Sequence, residues 1–572
     1  MKKLFTSTFL AFAPLLAQTS YNVSLYGQMN KYGTNPNASN YSAVWGWTDT
    51  VKNREYAFIG SPLGTSVVDI TTQPIKEVSL RIGPPSTYNY HEFRTYKNYL
   101  YIGSEGTDIN LRAGIQIVDL STLPDSGSFK KVYVWLDTNS TTGATRNYYR
   151  AHTVSIEKNF LYVNGGDFGG TRIMDISDPL NPLQVGSYGK GGTPYVHDAV
   201  IRNDTLYAAC INAGRLDIID FTVKGHYNQN TTNKIVSKTP TVPEGRTHQV
   251  WLSENGKYAF VATEAPGTVQ SFTYNLHIYD ITNRTNPVQI ATWTSDPAKS
   301  IHNVFVKGDF LYIAYYTDGF RVLDISNPQI PIEVAFYKTY TNSNPPLFAG
   351  VWGAYPYFPS GKVAVSDMNT GLYVFTVDEK KGGRITGVVR DAATQQVVSG
   401  VDVLVEEMGR KYTTDASGTF TYGTGEGSHT IKFSKTGYIA RIETVLTKAG
   451  TIDTVTILLS SNTGTSVIDR QNRTPETFDL SQNFPNPFNP NTKIVFSLKT
   501  DNFTSLRVYN ALGQEVATLV DQKLPSGTYS VSFDARNLPS GISAKGGYAS
   551  GVYFYTLNAG NFSSTKKMVL TK

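Results

Sequence analysis

Residues 197–221 read HDAVIRNDTLYAACINAGRLDIIDF. A histidine opens an alternating run, Arg202-Asn203-Asp204 turns the chain, an aliphatic run follows, and a third run closes on Asp220. Apolar runs of this length, alternating and bounded by Asn/Asp/Gly turns, predict short antiparallel strands. The same unit recurs down the chain. HEFRTYKNYLYIGSEG starts at His91, HTVSIEKNFLYVNGGD at His152, HQVWLSENGKYAFVATE at His248 and HNVFVKGDFLYIAYYTDG at His302.

Each unit continues to a third strand that ends in aspartate: SVVDI, IQIVDL, TRIMDIS, RLDIIDF, LHIYDIT and FRVLDIS. A turn, often with proline, then leads to a fourth strand such as LQVGSY, VQIATW or IEVAFY. Four strands in roughly 50 residues is the spacing of a β-propeller blade. Two further units carry Trp45 and Trp352 in the histidine position, which predicts seven blades. The seventh stops after its third strand, GLYVFTV, while YNVSLYG (Tyr21–Gly27) is a strand without a unit of its own. That segment is expected to complete blade seven and leave no open edge.

The rest of the composition agrees. With 572 residues, 40% hydrophobic and 17% charged, 37 Tyr and 28 Phe, the chain is too long for one ordinary core and suits a turn-rich all-β array. The net charge of +6 is spread thinly and forms no basic stripe, which argues against nucleic-acid binding. The opening MKKLFTSTFLAFAPLLAQ has two lysines, an apolar run from Leu4 to Leu16 and small Ala17. It reads as a signal peptide over 1–17, cleaved after Ala17. No later segment is apolar enough to span a bilayer, so the mature chain is expected to have no transmembrane segment. Cys210 is the only cysteine, which excludes zinc-thiolate, dithiol redox and c-type haem chemistry.

The exported propeller with IVD-type third strands resembles the LVIVD-repeat, choice-of-anchor B proteins. The resemblance covers 18–378 and implies an extracytoplasmic location, without a known substrate. From Gly382 the texture changes. GVVRD at Gly387, TDASGTF at Thr414 and KTGY at Lys435 resemble the carboxypeptidase regulatory-like β-sandwich, here 383–460, a spacer or weak binding module. DASG at Asp415 reads as a hairpin turn rather than a cation loop.

A polar linker over 461–477 leads to FDLSQNFPNPFNPNTKIVFSL, LRVYNALGQEVATLV, LPSGTYSVSFDARNLPSG and GVYFYTL. Residues 478–572 resemble the type A C-terminal sorting domain of the type IX secretion system. That resemblance implies Sec export, handling by the type IX machinery, and a final place outside the cell or on the outer-membrane surface. ISAKGGYA interrupts the family pattern between Ser540-Gly541 and Ser550-Gly551, as a loop insertion that leaves the strand core intact. The expected fold is all-β, a seven-bladed β-propeller followed by two small β-sandwich domains.

In a blade the first strand lines the axial channel, so the histidines are expected at one mouth of it. The end of the next strand lies beside that start and often carries a carboxylate. The pairs are His91 with Glu105, His152 with Asp167, His248 with Glu264 and His302 with Asp318. His197 and Trp352 meet Asn212 and Asp367, and all six spacings are 14 to 16 residues. The longer loops fall on this same face, where function usually sits.

Three roles fit the pattern: a structural bond tying each blade's inner strand, a divalent-metal site, or metal-free acid–base catalysis. On the metal reading His91, His152, His197, His248 and His302 supply ligands, with Glu105, Asp167, Glu264 and Asp318 orienting the rings. The leading function is a surface binding or scaffold module whose extracellular ligand meets the histidine rim. The alternative is a metal-dependent hydrolase or lyase at the same mouth. The recurrent aspartates Asp69, Asp119, Asp175, Asp220, Asp280 and Asp324 are expected to be turn formers, not ligands.

Overall fold

A computed structural model describes residues 20–571 except 34–38, 82–89, 106–113, 126–127, 134, 139–144, 149, 229, 232, 265–274, 341–345, 462–468, 472–474 and 536–549. The signal segment with its Ala17 cleavage position, the ISAKGGYA insertion and much of the 461–477 linker lie outside the described residues. The chain divides into two compact units, Met1–Gly382 and Gly383–Lys572. Among the described residues the structure is β throughout, with two short 3-10 turns, Ile211–Ala213 and Glu406–Met408. Among the described residues no helix is long and apolar enough to cross a membrane.

The first unit is a β-propeller built from four- and five-stranded sheets, antiparallel except where His226–Tyr227 pairs in parallel with Leu183–Tyr188. Their inner strands are Val44–Asp49, His91–Tyr96, Thr153–Glu157, Asp198–Arg202, Thr247–Leu252, Asn303–Lys307 and Val351–Tyr355. Each inner strand adjoins the inner strand of the next sheet, and Val351–Tyr355 adjoins Val44–Asp49. Several middle strands are buried on both faces. Phe310–Tyr315 is buried at every position.

The core therefore lies between sheets. Tyr101 and Ile117 of one sheet pack with Val154 and Leu161 of the next. Val44 and Ala57 pack with Ala364 and Val374 in the same way. Third strands end where the sequence places them: all six aspartates accept the backbone N–H two residues on, at 2.8–2.9 Å.

The segment expected to finish the last sheet does so two residues later than read. Val23–Met29 pairs with Gly371–Val377 as its outer strand, whereas Ser20–Tyr21 pairs with Ile332–Tyr337 of the preceding sheet. Asn22 makes the switch with φ of 52°, a left-handed conformation asparagine tolerates well, and its Nδ2 donates to the Val334 carbonyl at 2.8 Å.

The second unit holds two sandwiches. One pairs Gly382–Asp391 with Thr419–Gly425 and Ile452–Leu459 in one sheet, and a four-stranded sheet around Gly427–Ser434 forms the other. Asp415 Oδ1 accepts the N–H groups of Ser417 and Thr419, as a hairpin turn requires. The other sandwich packs two four-stranded sheets over Ile494, Phe496, Val508 and Tyr555. Its strand Gly551–Ala559 is paired on both sides. Asp469–Gln471, within the expected linker, joins this sandwich beside Gly527–Asp534.

Candidate functional site: a row of imidazoles at the channel mouth

The histidines reach the channel because the inner strands start with an irregularity. His152 and Thr153 both face Asn164, the first through its N–H and the second in register. His197 and Asp198 share Ala209 in the same way, and His302 and Asn303 share Ala314. The register also shifts between Thr247 and Gln249 and between Val351 and Gly353. Two residues opposite one is bulge geometry, and it aims two neighbouring side chains to the same side.

The imidazoles form a row. Ring centroids are 3.9 Å apart from His152 to His197, 4.1 Å from His197 to His248 and 4.4 Å from His248 to His302. Trp352 continues it 4.2 Å beyond His302, and Tyr90 stacks on Trp352 at 5.0 Å.

His91 does not line this cavity. Its strand pairs regularly from His91 opposite Ser104, so ordinary alternation puts Tyr90 and Glu92 on the channel side. His91 packs instead near Gly60, its N–H donating to Ser42 Oγ at 3.1 Å.

The carboxylate partners also differ from the within-unit pairing. His152 Nδ1 lies 3.0 Å from Glu105, which comes from the preceding sheet. Asp167 accepts the Arg150 N–H, and Asp318 pairs with Arg321 at 2.9 Å. Glu264 alone stays near its expected partner, 3.8 Å from His248 Nε2, and accepts the Tyr316 hydroxyl at 2.6 Å. Glu105 follows the strand Tyr99–Ser104 of one sheet and His152 precedes Thr153–Glu157 of the next, so this pair bridges adjoining sheets.

Backbone carbonyls of the following sheet fix the rings. His197 Nδ1 donates to the His248 carbonyl at 3.1 Å, and His302 Nδ1 donates to that of Trp352. With Nδ1 carrying the proton, Nε2 keeps its lone pair.

Burial drives the titration of the row. It holds His197 and His248 well below the usual imidazole range, with neighbouring imidazoles adding repulsion, and lowers His302 to about 3. His152 goes the other way: burial opposes its charge, but Glu105, with Glu92 and Glu264 behind it, raises it. The row thus combines three imidazoles whose charged form burial disfavours with one, His152, whose charged form the carboxylates favour.

Below the row the cavity, about 20 Å³ and so room for about one water-sized species, is lined by Glu92, Asp198, Gln249, Asn303 and Arg94. Burial raises Glu92 to about 7 and raises Asp198, with Arg94 opposing both. The Arg94 guanidinium sits 4.0 Å over the Trp45 ring. Trp45, Phe305, Trp251, Tyr355 and Tyr357 form a connected aromatic layer with centroids 4.9–6.3 Å apart. The sequence reading passed over Glu92, Asp198 and Arg94. The signal was present in the HE and HD pairs, where an acid directly follows the histidine.

Comparison with known proteins divides the chain in the same order. LVIVD repeats match residues 150–189, 244–294 and 299–339, a CarboxypepD_reg-like domain matches 385–467, and a secretion system C-terminal sorting domain matches 482–543. No curated protein matches the chain. Among solved structures, the computationally designed Ika8 protein is 9% identical with a TM-score of 0.39, covering 62% of this chain and 99% of its own. The β-propeller domain of Myceliophteria thermophila Cps50 (Swd1) is 12% identical with a TM-score of 0.37, covering 60% and 99%. The chain thus joins an LVIVD-repeat β-propeller, a CarboxypepD_reg-like domain and a type IX sorting domain, which takes it to the cell surface or the extracellular space.

Proposed function

We propose that this protein is a surface-displayed binding module of the choice-of-anchor B type. Its residues 18–378 close into a seven-bladed propeller, 383–460 act as a spacer, and 478–572 act as the sorting domain. The core between the first and last sheets and the outer strand Val23–Met29 support the closed ring. The ligand is taken at the histidine mouth. One observation carries this: four imidazoles and Trp352 stand in a single row above a polar cavity, with an aromatic layer below. Imidazole and indole groups aligned on one rim of a rigid scaffold offer a ligand ring faces and hydrogen-bond partners.

The test is to probe glycan and peptide arrays with the secreted chain, beside His302→Ala and Trp352→Ala. The expected result is a ligand retained by the parent and lost by variants that still melt cooperatively. Retention of the same ligand by both variants would place the binding surface elsewhere.

A further inference from the structure

The mouth differs from an ordinary structural histidine site, and the chain supplies its own comparison. His277 is buried with both nitrogens occupied, Nδ1 against Gln289 at 3.1 Å and Nε2 against Glu244 at 3.0 Å. That imidazole is fully satisfied by protein and has nothing left to offer. His197 spends only Nδ1, on a backbone carbonyl. His248 is 3% exposed, its ring meets the His302 backbone, and its Nε2 lies 3.8 Å from Glu264. A ring nitrogen of each of these two histidines and a carboxylate oxygen of Glu264 lie within 4.8 Å of one another.

We propose that His197, His248 and Glu264 bind one divalent transition-metal ion of the zinc type at the channel mouth. The proposal rests on the mouth being the ligand-binding end and names what occupies it. Two neutral imidazoles and a carboxylate are borderline donors, suited to zinc, nickel or copper and poorly suited to calcium or magnesium. Bonds of 2.0–2.1 Å in a tetrahedral site put donors about 3.4 Å apart. His248 Nε2 and Glu264 are already at 3.8 Å and the His197 nitrogen lies within 4.8 Å of both, so side-chain rotations would bring the three together.

The surroundings are those a metal site needs. The His248 carbonyl fixes the tautomer and plane of His197, and the Tyr316 hydroxyl holds Glu264 from behind at 2.6 Å. Such outer partners orient ligands and raise their basicity. Three protein ligands leave a fourth position, as in sites that exchange water for an external group. His152 is not one of the three residues whose ligand atoms converge within 4.8 Å.

The experiment uses the full secreted chain stripped with chelator, then titrated with zinc alone by calorimetry, and with cobalt for its visible absorption. The expected result is one ion per chain in the micromolar range or tighter, with cobalt bands of a four-coordinate N/O site. Glu264→Gln and His248→Ala weaken binding roughly 100-fold or more, and Tyr316→Phe about 10-fold. His91→Gln leaves it unchanged. Circular dichroism of each variant without metal checks the fold. Should a large-to-small change unfold the chain, the near-isosteric Glu264→Gln and Tyr316→Phe carry the test. Absence of stoichiometric binding by the folded parent overturns the proposal, and so does equal affinity in Glu264→Gln. Neither outcome touches the array experiment, which requires no metal and fails independently.

Discussion

At the scale of the residue, the decisive distinction is between histidines that look alike in sequence. His91 and His152 each open a unit, yet only His152 lines the channel, because the doubled residue at Asn164 re-aims it and His91 lies in unbroken pairing. Hydrophobic alternation marks a strand but not a bulge at its first residue, so this was not legible. Glu105 was legible as a partner and misassigned to its own unit. The His152–Glu105 contact gives a prediction. His152→Ala strands a part-buried carboxylate and should lower stability by about 1–3 kcal/mol. Adding Glu105→Gln should cost much less than the two single changes summed. Chemical denaturation of the four species checks this, and strict additivity would mean the pair is not coupled.

At the scale of the element, the third strands were read almost to the residue, because an aspartate that caps the turn after a strand has both a pattern and a mechanism. The same caps set an acid limit. The Ser177 hydroxyl and N–H hold Asp175 below the ordinary 3.8, the Thr282 hydroxyl and N–H do so for Asp280, and the Thr222 N–H and hydroxyl for Asp220. A carboxyl depressed by folding stabilises fully well above its unfolded value, and that stabilisation is lost as pH falls through the folded one. Melting temperature should therefore drop on acidification below about pH 4. In the triple variant Asp175→Asn, Asp220→Asn, Asp280→Asn the amide oxygen still caps the turn but cannot titrate, so this acid limb should be shallower. An unchanged slope would show that other groups govern it.

At the scale of the whole molecule, the sequence carried the order of parts, since repeats, turn chemistry and the Pro-rich lead-in at Phe484–Pro490 are local signals. The meeting of distant strands was legible only as a missing partner, and its exact register was hidden by the left-handed Asn22. Deleting Tyr21–Gly27 should uncover the edge of Gly371–Val377 and lower the melting temperature of the first unit sharply; melting like the parent would contradict that role. Ending the chain after Glu476 removes the strands that enclose Ile494 and Tyr555, and should leave a folded propeller in the periplasm. Surface protease accessibility reads the outcome, and normal display would separate sorting from this domain. The pairing of Val23 with Val377 also sets a timetable. The ribosome makes the first of these strands early and its neighbour only after most of the propeller has been synthesised. Assembly of this unit cannot finish until then. A product broken off by a premature stop before Gly371 leaves Val23–Met29 with nothing to join, and so advertises its incompleteness to proteases.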